Sequence, residues 1–314
     1  MKALVTGGAG FIGSHIAERL ASNGHSVAVL DNFSSGKRGH LAGFESKVAV
    51  FEGDIRDPTG LAEAMRGCEV VFHEAAIVSV PYSVEHPLET HDVNILGTLH
   101  VLEAARRAKV RRVVFASSAA VYGDEPTLPK VETMVPRPIT PYGVEKITAE
   151  HYLRTYSALY DLETVALRYF NVFGPRQDPT SPYSGVISVF VDRAIRGEGL
   201  TIFGDGKSSR DFVFVADVVD ANLAAATAPR ERVSGKVFNV ARGRRTTLNE
   251  LAGMLGRVVD RELSVLYAPP RMGDIAHSLA DVAKAEGALG LVAKVGVEEG
   301  LRQLVGSVAG NLRT

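Results

Sequence analysis

"ALVTGGAGFIGSH", residues 3–15, places Gly7, Gly10 and Gly13 three apart between an apolar run and an amphipathic one. The apolar run predicts a buried strand through "KALVTG", and "FIGSHIAERLASNG" predicts a helix that stops at Gly24. Glycines at this junction meet three demands at once: a tight turn, close approach of backbone to a pyrophosphate, and a helix N-terminus aimed at its charge. A purely structural strand-to-helix turn would also use glycine. The context that follows favours the dinucleotide, because a second strand, "SVAVLD", ends on Asp31, 18 residues past Gly13. An acid there accepts hydrogen bonds from the adenosine ribose and repels a 2′-phosphate, which selects NAD over NADP.

The same rhythm continues. "KVAVFEGD", "EVVFHEAA", "RRVVFASS" and "ETVALRYFN" read as further strands, alternating with helical stripes such as "NILGTLHVLEAARRAK" and "TPYGVEKITAEHYLRTYSALY". Thr140 is the expected N-cap of the last helix, with Pro141 at its first position. Strand and helix in turn predict an α/β, doubly wound parallel sheet of Rossmann-like form. After about residue 170 the pattern loosens into a proline-rich loop, "GPRQDPTSPYSG". Short strands ("LTIFG", "KVFNVA", "LSVLYAP") and helices near 186–196, 216–228, 247–258 and 297–309 follow. Residues 1–170 are therefore expected to form the NAD-binding domain, and 171–314 a smaller mixed α/β substrate-binding region interleaved with it.

Composition narrows the partners. Lys and Arg number 35 against 36 Asp and Glu, so no broad field draws the chain to nucleic acid or an anionic membrane. The single cysteine, Cys68, excludes an intrachain disulfide and a Cys-based metal site and favours a reducing compartment. The nine histidines show no metal spacing; His73 and His91 read as capping or packing residues. No apolar run approaches the roughly 18 to 20 residues that span a bilayer. "MKALVTGG" runs straight into a strand and leaves no room for a signal peptide, so a cytoplasmic protein is expected.

Chemistry centres on "PYGVEK". Tyr142 and Lys146 stand at i and i+4, one helical turn apart on one face. A phenol titrates near 10 and is a poor base at neutral pH. A neighbouring ammonium and the positive nicotinamide of bound NAD favour the phenolate. Tyr142 is then the candidate base that takes a proton from a substrate hydroxyl while hydride leaves the same carbon for NAD. Ser118, ending the fifth strand, is placed to hydrogen-bond that hydroxyl. Asp54 and Ile55 follow the third strand, Asp54 being either an adenine contact or a turn acid. Ala75 and Ala76 end the fourth with side chains small enough for a flat ring to lie on the backbone. Glu145 and Glu150 flank Lys146 and are read as solvated, while Tyr152, Tyr156 and Tyr160 form a core or dimer stripe.

These segments, with "DNFSSGK", "GDIRD", "NILGT", "SSAAVYG", "LRYFNVFG" and "PPRMGD", resemble the extended short-chain dehydrogenase/reductase family, in particular its nucleotide-sugar 4-epimerases, over nearly the whole chain. The resemblance implies that Ser118, Tyr142 and Lys146 are catalytic. It extends the cofactor set from Gly7, Gly10, Gly13 and Asp31 to Phe11, Ile12, Asn32, Ser35, Gly36 and Asn94. It assigns Asn171, Arg210 and Arg271 to the substrate diphosphate and Asp274 to the nucleoside ribose, roles that a planar guanidinium suits in the case of the arginines. Ser79 and Ser278 fall in the sugar pocket, where a small residue four past Asp274 goes with a 2-acetamido group. A homodimer through helices 93–108 and 142–160 is implied as well.

One departure from relatives with other chemistry is informative. Sugar-nucleotide 4,6-dehydratases carry an Asp-Glu pair where this chain has Ala119 and Ala120. Methyl groups can neither donate nor accept a proton, so a 4-keto intermediate can only take its hydride back. The sequence thus points to C4 epimerisation of a UDP-sugar, UDP-GlcNAc/UDP-GalNAc first and UDP-Glc/UDP-Gal second. A UDP-uronic acid 4-epimerase and a non-catalytic NAD-binding regulator on the same fold are the alternatives.

Overall fold

A computed structural model describes residues 1–178, 185–270 and 276–311. Seven strands form its main sheet: β1 (Lys2–Thr6), β2 (Ser26–Asp31), β3 (Val48–Glu52), β4 (Val70–His73), β5 (Arg112–Ser118), β6 (Glu163–Tyr169) and β7 (Lys236–Val240). Their order across the sheet is β3-β2-β1-β4-β5-β6-β7, and every pairing is parallel. The order reverses between β1 and β4, which opens a crevice at the carboxyl ends of these two strands. Helices cover both faces. Phe11–Ser22 and Val215–Thr227 pack on one side with Ile16, Leu20, Val218 and Ala221 buried; Thr98–Arg107 and Pro141–Leu159 pack on the other with Leu102 and Leu153. Near-continuous burial of "VVF" in β4 and "RVVFAS" in β5 follows from having helices on both sides.

Two smaller sheets build the C-terminal region. Ser209–Phe214 lies between Asn171–Phe173 and Arg245–Thr247, and Leu200–Phe203 pairs with Val265–Ala268. Phe173, Phe212 and Phe214 pack edge-on beneath Val186–Arg196, Leu248–Val258 and Val297–Asn311.

Two segments differ from the sequence reading. "ETVALRYFN" is not one strand: Phe170 donates its amide to the Val240 carbonyl, and the chain then passes to the second sheet at Asn171. "KVFNVA" joins the main sheet as β7, because β6 offers it an unpaired edge and a five-residue register, Lys236↔Val165 to Val240↔Tyr169. No helix of the described residues is long and apolar enough to cross a membrane.

Candidate active site

The glycine turn is built by close approach. Gly7 sits at φ +65°, and a Cβ there would lie 2.7 Å from the Ala75 amide nitrogen; one on Gly13 would lie 2.2 Å from the Gly7 carbonyl oxygen. The helix that starts at Phe11 has Gly10 as N-cap, with no side-chain cap and no acid in its first turn. Its first N–H groups are left for an anion, and the shape fits a pyrophosphate. Asp31, buried at the end of β2, accepts N–H bonds from Ala9 (2.9 Å) and Phe33 (2.8 Å). A Cβ on Gly36 would come within 2.7 Å of that carboxylate, so the loop closes directly over it.

A cleft of about 530 Å³ opens here. It is lined by Gly7, Gly10, Phe11, Ile12, Gly13, Asp31, Asn32, Ser35, Gly36, Asp54, Ile55, Ala75 and Ala76, and further along by Ser118, Tyr142, Lys146 and Asn171. Asp54 is at once a cleft residue and a turn acid. Arg56 and Asn32 hydrogen-bond its carboxylate, and Arg56 holds its pKa down to about 2. Asn94 does not line the cleft. Buried in a π-helical turn, Asp92–Gly97, it donates to the Ile77 carbonyl (2.9 Å) and to Glu145 (2.6 Å) and accepts from the Ile77 amide (2.8 Å). It therefore pins the loop after Ala76. Ser79 is likewise set back, capping the short helix Val80–Glu85.

The catalytic trio converges. Thr140 caps Pro141–Leu159 by accepting from the Gly143 amide. A Cβ on Gly143 would stand 2.8 Å from the Ala120 carbonyl oxygen, so the first turn of this helix rests on the 3-10 turn Ala119–Tyr122 that follows Ser118. That contact brings Tyr142 to Ser118. The Ser118 hydroxyl oxygen accepts from the Ala120 amide at 3.1 Å. Against the expectation that the neighbouring ammonium favours phenolate, burial raises the Tyr142 phenol to about 12, and the hydrogen bond with Ser118 pulls against that rise. Lys146 donates to the Ala116 carbonyl at 2.8 Å, and its Nζ lies 5.6 Å from the centre of the Tyr142 ring. Burial lowers its pKa to about 8, with Glu74, Glu145 and Glu150 opposing the fall.

Glu145 and Glu150 are not solvated; both are buried. Glu145 accepts from Thr90 and Asn94, each at 2.6 Å. Glu150 forms a two-pronged pair with Arg168 at 2.9 and 2.7 Å and accepts from Ser117 at 2.5 Å. The signal was present in the sequence: Glu145 is three past Tyr142 and Glu150 four past Lys146, on the helix face that carries the catalytic pair. Glu74 was missed too. It lines the cleft and accepts from the Tyr169 hydroxyl at 2.9 Å.

Arg210 and Ser278 lie apart from this lining. Arg210 hydrogen-bonds the Ser209 and Ala276 carbonyls, and Ser278 donates its amide to the Ser209 carbonyl beside a short parallel bridge between Ser209 and His277. Arg210 and Ser278 thus sit on neighbouring segments. Arg271 and Asp274 lie outside the described residues.

The chain is similar to known proteins over nearly its whole length. Residues 3–241 match the model of the NAD dependent epimerase/dehydratase family. The chain is 40% identical to the putative UDP-glucose 4-epimerase of Methanocaldococcus jannaschii over 99% of both chains. The UDP-glucose 4-epimerase of Thermotoga maritima, solved with UDP-glucose, is 41% identical with a TM-score of 0.94, over 99% of this chain and 100% of that one. The UDP-N-acetylglucosamine 4-epimerase of Methanobrevibacter ruminantium M1, solved with UDP-N-acetylmuramic acid, is 38% identical with a TM-score of 0.94, over 99% and 98%.

Proposed function

The chain belongs to the NAD dependent epimerase/dehydratase family, as an NAD-using enzyme of the UDP-sugar 4-epimerase type, and on that premise we propose that it interconverts UDP-GlcNAc and UDP-GalNAc, with UDP-Glc and UDP-Gal as further substrates. NAD, held by the glycine turn and Asp31, would supply the hydride acceptor for C4 and, once reduced, the hydride donor. Tyr142 takes the C4 hydroxyl proton and gives it back; Ser118 orients that hydroxyl, and the positive charges of Lys146 and of bound nicotinamide offset the burial that otherwise keeps the phenol neutral. Inversion requires the sugar to turn about its diphosphate between the two transfers, and Ala119 and Ala120 put no acid in the two positions after Ser118. Ser118 on one cleft lining with Tyr142 and Lys146, and followed by two alanines, is the observation that carries the reading.

For the acetamido sugar the support is Ser278, a small side chain next to the segment that bears Arg210. A uronic acid would call for a further cation. Among the described residues lining the cleft the cations are Arg56 and Lys146, and both are engaged, Arg56 by Asp54 and Asp92 and Lys146 by the Ala116 carbonyl. We further propose a homodimer through helices 93–108 and 142–160, along which Leu96, Tyr152 and Tyr160 are partly exposed, the Tyr160 ring standing edge-on to Tyr156.

The test is purified protein incubated with UDP-GlcNAc without added NAD, read by NMR of the anomeric protons. Growth of UDP-GalNAc signals to equilibrium is expected. Protein that carries NAD yet interconverts no UDP-hexose would instead be the regulator, and a 4-keto-6-deoxy product would overturn the argument from the alanines.

A further inference from the structure

The cleft holds a carboxylate that the scheme above does not use. Glu74 follows His73, the last residue of β4, and its backbone is pressed against the glycine turn: its amide donates to the Thr6 carbonyl, and its carbonyl carbon would lie 3.0 Å from a Cβ on Gly7. Its side chain is half-buried and fixed from behind by a chain of hydrogen bonds. Asn222 Nδ2 donates to the Tyr169 hydroxyl at 2.7 Å, and that hydroxyl donates to Glu74 Oε1 at 2.9 Å. Across the sheet His73 pairs with Phe115, and the next residue on that strand, Ala116, is the one whose carbonyl receives the Lys146 ammonium. The anion and the cation therefore stand at the ends of adjacent strands, on the lining of one cleft with Tyr142.

We propose that Glu74 is a positioning residue of the acid–base set, its carboxylate sharing the cleft lining with Lys146 and Tyr142 and setting the charge that each of them carries. The inference rests on the roles given above to Tyr142 and Lys146 and adds a member to them. The groups that bear on Glu74 are Tyr169 from β6 and Lys146 and Tyr142 from the helix Pro141–Leu159. His73 beside it is held neutral, its pKa lowered to about 3 by burial and Lys146. Burial brings the Glu74 carboxyl up to about 7, with the Tyr169 hydrogen bond and Lys146 holding it down. Ionised, Glu74 is the strongest of three acids that keep Lys146 cationic, ahead of Glu145 and Glu150, and it opposes phenolate at Tyr142. Protonation of Glu74 as the pH falls through neutrality reverses both effects. The phenol then ionises more readily under the conditions in which a base is hardest to keep deprotonated.

The experiment uses NAD-loaded protein without sugar and follows the near-ultraviolet tyrosinate band, with Tyr142→Phe as the reference that isolates Tyr142. Glu74→Gln keeps an acceptor for Tyr169 and removes the charge. It is expected to move Tyr142 ionisation about one pH unit lower, and the alkaline limb of kcat/KM, which Lys146 sets, about one unit lower as well, while KM stays level. Tyr169→Phe, which loses the donor to Glu74 together with the acceptor for Asn222, should shift both in the same direction by less; it carries the test if Glu74→Gln fails to fold. Unchanged titrations in these variants, even with a lower kcat, would make Glu74 a packing residue and overturn the proposal. A shifted tyrosinate titration in protein that turns over no UDP-sugar would instead leave this coupling standing and remove the assigned reaction.

Discussion

Lys146 stands one helical turn from Tyr142, yet its Nζ bonds the Ala116 carbonyl at 2.8 Å and reaches the phenol ring only through space, at 5.6 Å from its centre. The ammonium is thus anchored to the sheet, and its influence on Tyr142 is a matter of charge. Its pKa, lowered to about 8 by burial, predicts the direction of the pH response. As pH rises through about 8 the cation is lost and the phenolate loses its partner. We expect kcat/KM to fall on that alkaline side with an apparent pKa near 8, and Lys146→Met to abolish turnover at every pH. A flat profile up to pH 10 in steady-state assays would contradict the assignment.

Tyr142→Phe removes only the hydroxyl. General acid–base catalysis of this kind contributes between about 100- and 10,000-fold, and kcat should drop within that range. The glycine turn and Asp31 are untouched, so NAD released on denaturing the protein should still approach one per chain. Near-normal turnover would exclude Tyr142 as the base.

Asp31 is used twice, by the backbone of Ala9 and Phe33 and by the ribose it is expected to hold. Asp31→Asn leaves one acceptor oxygen and a donor that faces a backbone N–H. A lost hydrogen bond to a charged group weakens binding by about 1.5–3 kcal/mol, roughly 10- to 150-fold. Titration of cofactor-stripped protein should show weaker NAD binding and a smaller preference over NADP. An unchanged NAD affinity would place the ribose elsewhere.

Behind β5, Glu150 and Arg168 are both almost fully buried, and Arg168 also lies 4.7 Å from the centre of the Tyr122 ring. Arg168→Met strands the carboxylate and should destabilise the fold by about 3–5 kcal/mol in urea unfolding, whereas adding Glu150→Leu should restore much of that loss. Equal losses in the single and double variants would mean that packing, and not the stranded charge, dominates.

How much of this was readable beforehand depended on range. The glycine turn, Asp31 and the Tyr142–Lys146 pair are local patterns, each declared within a few residues of a strand end or along one helix face. Ser118 was legible because "RVVFASS" stops at the sheet's carboxyl edge. Glu74 follows no period: one acid after a strand looks like any turn residue until Tyr169, 95 residues later, is seen to hold it. Glu145 and Glu150 were misassigned because a helix of modest amphipathicity has no obvious dry face; their partners at Thr90, Asn94 and Arg168 come from other elements. Strand β7 shows the same limit, since "KVFNV" declares itself a strand but not which of two sheets will take it.

That last strand has a consequence for engineering. Because Lys236–Val240 returns to cover the flank of Glu163–Tyr169, a fragment cut after residue 170 would present a raw, fully hydrogen-bond-competent border to solvent. Such a piece is expected to self-associate, and grafting a foreign sugar-recognition half onto this nucleotide-binding half would succeed only if the graft carried its own closing strand.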